Sequence, residues 1–101
     1  MSGTLPKVYC YISGPGFGDT EAVYALAEDG AALASHCSSD VAWAMADIGF
    51  AGDSFGRRKL YDQHYPDGYV LEWVADPDSH SGLAAALKRN HEKHEAGKAG
   101  E

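Results

Sequence analysis

The sequence has few cysteines and no long apolar run. Its two cysteines, Cys10 and Cys37, allow at most one disulfide, whereas small secreted domains that depend on disulfides usually carry more. We therefore expect two reduced, buried thiols. No apolar run approaches the ~20 residues that cross a membrane, and no signal-peptide pattern follows Met1. These absences predict a cytoplasmic protein that does not bind membranes.

Positive charge is absent from two long stretches of the chain. The 101 residues carry 15 acidic and 8 basic side chains, which gives a net charge of −7. Residues 8–56 contain seven acids and no base, and residues 60–87 contain five acids and no base. Direct binding to nucleic acid requires Lys and Arg, so the charge argues against it. The simplest interpretation of the acids is a solvated surface that maintains solubility.

The length and the hydrophobic share of 45% fit one folded domain. We expect a flexible N-terminus at 1–6, a single globular α+β domain at 7–95 and a disordered tail at 96–101. The element order is β-β-β-α-α-β-α, with strands near 7–12, 22–28, 31–37 and 69–75 and helices near 39–48, 55–64 and 80–95. This order predicts a small antiparallel sheet of about four strands with the helices packed on one face.

The second and third strands are predicted to form a hairpin around Asp29-Gly30, a dipeptide that favours a type I′ turn. This register pairs Leu26 with Leu33, Tyr24 with Ser35 and Val23 with His36. A helix from Glu21 to Asp29 that is capped by Thr20 and stopped by Gly30 is the alternative.

The helices present apolar residues at helical spacing. Ser38 or Ser39 is the predicted cap of the first helix, and the buried residues predicted for the three helices are Val41, Met45 and Ile48, then Leu60 and Tyr61, then Leu83, Leu87 and Asn90. Trp43 falls outside the first of these stripes. Because exposed tryptophan is a common anchor in protein interfaces, Trp43 is the first candidate for contact with a partner.

Acidic residues of the first base-free stretch are candidates for the same surface. The predicted partner-binding set is Asp19, Glu21, Asp40, Trp43, Asp47 and Asp53. Such a surface would fit a basic protein surface and would accelerate association by electrostatic attraction.

A small-ligand recess is the alternative site. The segment 13–19 is rich in glycine and is predicted to be a loop whose amides could bind a phosphate, although it lacks the Lys-Ser/Thr of a P-loop. The cluster Arg57, Arg58 and Lys59 would neutralise the phosphate. The residues assigned to this recess are Gly14, Gly16, Arg57, Arg58, Lys59, His64 and Tyr65.

No complete catalytic or metal-binding pattern is present in the sequence. His91, His94 and Glu95 share a helical turn, but a charged helix end is the simpler interpretation of that spacing. A hydrolase that uses His36 or His64 with a nearby carboxylate is the weakest hypothesis. We predict no metal, no cofactor and no catalytic residues.

Several turn and strand patterns between Tyr24 and Asn90 resemble small proteins encoded by bacteriophages and prophages. They are YALAEDG at 24–30, LASH at 33–36, HYPDGY at 64–69 and GL at 82–83. The resemblance implies a phage accessory protein, a group that includes acidic inhibitors of host defence systems such as anti-CRISPR proteins, which act by binding. It carries no site residues over to this chain.

The leading hypothesis is therefore a non-enzymatic acidic binding protein, of the phage inhibitor type, that occupies a basic, nucleic-acid-binding surface of a host defence protein. The alternative is a protein that binds or sequesters a nucleotide or a similar metabolite. An exposed strand at the edge of so small a sheet also predicts a homodimer, because pairing would cover that edge.

Overall fold

A computed structural model of the protein describes residues 4–15, 21–38, 40–50 and 55–99. The strands are β1 (Lys7–Pro15), β2 (Glu21–Ala27), β3 (Ala32–Ser38) and β4 (Val70–Val74); the helices are α1 (Val41–Asp47), α2 (Phe55–His64) and α3 (Ser81–Ala99), and a short 3₁₀ turn (Pro77–Ser79) precedes α3. The predicted α+β class and the order of elements are confirmed.

The four strands form one mixed sheet in the order β3-β2-β1-β4. β1 and β2 are antiparallel, as are β2 and β3, whereas β4 runs parallel to β1 with Val8 opposite Leu71. The sheet is thus not wholly antiparallel, as the sequence had suggested. β4 can run parallel to β1 because the connection from β3 to β4 is a long crossover. It contains α1 and α2 and returns the chain to the end of the sheet from which β3 starts.

The helices cover both faces of the sheet, which corrects the prediction of a single covered face. Val8 and Cys10 of β1 pack in one buried cluster with Ala44, Ile48 and Tyr61 of the first two helices. The alternate residues of β1 pack in a second cluster, which contains Tyr9, Tyr11, Leu83 and Ala86. The crossover helices occupy only one face, and α3 buries the apolar side chains of the other.

The β2–β3 hairpin is confirmed, but its turn is not type I′. Asp29 does not have a positive φ, and Gly30 does, at +99°. The Gly30 N–H donates to the Ala27 carbonyl and the Ala27 N–H donates to the Ala31 carbonyl, so the loop has three residues with glycine in the left-handed position. A register shift follows between Ala25 and Leu26.

The register shift changes one of the three predicted pairs. Tyr24 lies opposite Ser35 and Val23 lies opposite His36, as expected, but Leu26 lies opposite Ala32 and not opposite Leu33. Leu33 is the additional residue on β3, and it packs against the cluster of α1 and α2.

Three predicted features of the helices are corrected by the structure. The N-cap of α1 is Asp40, whose carboxylate accepts the Trp43 N–H, and not Ser38 or Ser39. Tyr61 is buried as predicted, whereas its neighbour Leu60, which lies about 100° further round the helix, is 40% exposed. In α3, Ala86 is buried and Leu87 is 38% exposed for the same reason.

The ends of two elements and the exposure of one thiol also differ from the predictions. β1 continues through Pro15, so 13–15 is strand and not loop, and the rest of the predicted loop lies outside the described residues. α3 continues past Glu95 to Ala99. Cys10 lies on the central strand β1 and is buried in the core, whereas Cys37 lies on the edge strand β3 and is exposed.

Candidate functional site

The outward side of α1 combines an exposed tryptophan with two carboxylates. Val41, Ala44, Met45 and Ile48 pack toward the sheet. Asp40 and Trp43, three residues apart, are exposed beside this contact, whereas Asp47, four residues after Trp43, is half-buried at its margin, where it reaches His36 of β3. Trp43 is 65% exposed, the highest exposure among the large hydrophobic side chains of the described residues.

Both carboxylates on this side of α1 also hold the helix in place. Asp40 Oδ1 accepts a hydrogen bond from the Trp43 N–H at 3.2 Å and so begins the helix. Asp47 Oδ2 is hydrogen-bonded to His36 Nδ1 of β3 at 2.9 Å. The contact with His36 ties α1 to β3 and so helps to fix the direction in which α1 presents Trp43.

The structure brings three of the six predicted partner-binding residues together. They are Asp40, Trp43 and Asp47. Glu21 is the first residue of β2, and its backbone pairs with Ser38, which precedes Asp40 by two residues. Asp19 and Asp53 lie outside the described residues, so only the α1 part of the predicted surface is defined.

A second group of polar side chains meets at the β2–β3 turn. Asp29 Oδ2 lies 2.7 Å from His64 Nε2 at the end of α2, and Asp29 Oδ1 accepts the Ala31 N–H at 2.9 Å. The Lys93 Nζ of α3 lies 3.9 Å from the same oxygen. Burial alone would raise the pKa of Asp29, but the hydrogen bonds from Ala31 and His64 outweigh it and lower this pKa below its ordinary value.

A shallow recess of about 290 Å³ lies beside His64. It is lined by Ala32, Leu33, Leu60, Gln63 and His64. Tyr65 borders His64, with the two ring centroids 4.6 Å apart, and packs into the core. The sequence had singled out His64 and Tyr65 but not Asp29, because Asp29-Gly30 was interpreted only as turn residues.

The other residues of the predicted ligand recess are not all near His64. Gly14 lies six residues beyond Val8, which pairs with Ala27 beside the Asp29 turn. At about 3.3 Å per residue, Gly14 is ~20 Å along β1 from that turn. Arg57, Arg58 and Lys59 lie on α2, where Arg58 and Lys59 are exposed, and Gly16 lies outside the described residues.

A third histidine contact holds the start of α3. His80 Nε2 lies 2.6 Å from Glu72 Oε2, and the Lys7 Nζ lies 3.1 Å from Glu72 Oε1. The hydrogen bond from Lys7 is the largest cause that lowers the pKa of Glu72. Each of these contacts joins a histidine to a carboxylate outside the histidine's own element. The three histidines are His36, His64 and His80.

A histidine that binds a carboxylate has the arrangement of a general base, but a hydrolase also needs a nucleophile or a positioned water. Cys37 follows His36 on a strand, so the two side chains point to opposite faces. Among the described residues, no three His, Cys, Asp or Glu side chains are grouped so that they could hold a metal ion.

No family model, curated protein or solved structure matches this chain. The resemblance to phage proteins therefore remains a prediction. Within the described ranges, none of the helices combines the length and the apolar character needed to cross a membrane.

Proposed function

We propose that this protein acts by binding and not by catalysis, and that α1 docks on a basic surface of a partner protein of the kind that binds nucleic acid. The observation that carries the proposal is the exposure of Trp43, at 65%, between the carboxylates of Asp40 and Asp47. A tryptophan that takes no part in the core of its own domain supplies a large apolar contact to a partner.

The chemistry around Trp43 favours a partner rich in Arg and Lys. A guanidinium placed over an indole ring gains a cation–π interaction, and carboxylates beside the ring add ion pairs to the same cation. The net charge of −7 attracts such a surface over a longer range. Surfaces that bind phosphates have the required charge, so this chain would compete with nucleic acid for its partner.

The resemblance to small phage proteins makes a host defence protein the first partner to test. The immobilised chain is used to capture proteins from a bacterial lysate, and each captured protein is purified. Its binding to the wild-type chain and its binding to labelled duplex DNA are then measured at low and high salt.

We expect a partner whose binding to the chain falls steeply with salt and whose DNA binding the wild-type chain inhibits. Trp43→Ala and the double variant Asp40→Asn/Asp47→Asn should each weaken both effects at least about tenfold, which corresponds to ~1.4 kcal/mol. Leu87→Ala and Glu92→Gln, which alter exposed residues of α3 on the other face of the sheet, are the matched controls.

The proposal is overturned if the captured proteins bind the Trp43→Ala variant as tightly as the wild type. It is also overturned if the chain and DNA bind the partner at the same time. Circular dichroism of each variant shows whether the fold is retained, so a loss of binding can be separated from unfolding.

A further inference from the structure

The outer edge of β3 is open. β3 stands at one end of the sheet and pairs with β2, and no strand in the described part of the chain pairs with its other edge. Such an edge presents a row of backbone N–H and C=O groups to which a further strand can bind. β4 forms the opposite edge of the sheet, so the two edge strands can be compared.

β3 lacks the side chains that usually protect an edge strand. Ala32–Ser38 contains no Lys, Arg, Asp, Glu or Pro, and its exposed side chains, Ala32, Ser35 and Cys37, are small. β4 is shorter and carries Glu72, which forms ion pairs with Lys7 and His80. Because the bulge beside Leu33 lies near the turn, the register of Ala34–Ser38 is regular. β3 is therefore the edge that is better suited to accept a strand.

Recesses flank β3 and could receive the side chains of an added strand. One, of about 290 Å³, is lined by Leu33 together with Leu60 and His64 of α2. The other, of about 370 Å³, is lined by Tyr24, Ala34 and Ser35. Successive side chains of a strand point to opposite faces of the sheet. An added strand would therefore direct its side chains alternately toward one recess and toward the other.

We propose that the added strand is β3 of a second copy of this chain, so that two sheets join antiparallel across a two-fold axis near Ser35. The chain carries a charge of −7, which makes its copies repel each other, but residues 31–39 contain no Asp, Glu, Lys or Arg. Two copies can thus approach along β3 at the lowest electrostatic cost. In this arrangement the same patch serves both copies, as closed dimers require.

The test exploits the symmetry at Ser35, where each copy places its side chain beside its counterpart. The mass of the wild-type chain in solution is measured by sedimentation and by light scattering over a range of concentrations. We expect a dimer. Ser35→Lys alone and Ser35→Glu alone should each weaken dimerisation at least about tenfold, because like charges then face each other across the axis.

Mixing the Ser35→Lys and Ser35→Glu chains should restore a dimer that contains one copy of each. This result also shows that both variants are folded. Val70→Lys and Val70→Glu make the same changes on β4, where Val70 is 44% exposed, and should leave the wild-type dimer intact. A wild-type chain that stays monomeric at high concentration overturns the proposal, as does a Ser35 pair whose mixture fails to associate or a dimer that the Val70 variants disrupt instead.

Discussion

The carboxylate of Asp29 and the imidazole of His64 are hydrogen-bonded, with 2.7 Å between Oδ2 and Nε2, although the residues are 35 positions apart. Asp29 belongs to the β2–β3 turn and His64 ends α2, so this contact joins the hairpin to the helix that crosses over the sheet. It is also partly exposed, which limits its energy.

Replacing Asp29 with Asn should reduce stability at neutral pH by about 0.5 kcal/mol, the range of a partly exposed ion pair. The folded pKa of Asp29 is lowered, so its contribution is present above the unfolded value of about 3.9 and is lost as the pH falls through the folded pKa. Urea denaturation at pH 7 and below pH 3 measures this, with the exposed Asp67→Asn as the control. An equal difference between Asp29→Asn and the wild type at both pH values would contradict the assignment.

Gly30→Ala should destabilise the protein by more than about 2 kcal/mol. The φ of +99° is costly for alanine, and an added Cβ would lie 2.7 Å from the Asn90 backbone nitrogen of α3. Gly68→Ala is the matched control, since its φ is +117° but its Cβ would meet only the end of the Leu5 side chain at 3.3 Å. Equal losses of stability in urea denaturation would show that α3 does not restrict the turn.

The two thiols should react at very different rates. Burial raises the pKa of Cys10 to about 12, whereas Cys37 is exposed. In the native protein we expect a thiol reagent to modify one cysteine per chain rapidly, and both in urea. The Cys37→Ser variant should lose the rapid phase. Rapid modification of Cys10 in that variant would contradict the burial of β1.

Adenosine triphosphate should not raise the melting temperature. Gly14 is ~20 Å along β1 from the β2–β3 turn, whereas His64 contacts that turn through Asp29. A single phosphate group therefore cannot contact both the β1 amides and the recess beside His64. A ligand at 100 times its dissociation constant would add about 2.7 kcal/mol of stability, which a thermal-shift measurement detects. A concentration-dependent rise would instead support the nucleotide-binding alternative.

Local patterns were sufficient to predict much of the fold. The alternation around Val8 and Cys10, the hairpin at Gly30 and the bounds of α2 depend on residues close in sequence, so they are visible without the structure. The parallel pairing of β1 with β4 depends on residues more than 60 positions apart, and no local pattern specifies its direction. The same holds for the face that α3 covers.

The candidate site shows the same division. The position of Trp43 outside the apolar stripe of α1 follows from helical spacing, and the structure exposes it. The contacts of His36 with Asp47 and of His64 with Asp29 join separate elements, so their partners could not be named from the sequence.

The parallel pairing of β1 with β4 has a consequence for synthesis on the ribosome. β1 lies inside the sheet, yet its second neighbour ends at Val74, so every residue from β1 through Val74 must emerge before the strand can be fully paired. Pairings of such long sequence separation slow folding. Until then the nascent chain holds an unpaired edge at Lys7–Tyr11, which contains two tyrosines and a valine and is the segment a chaperone would have to shield.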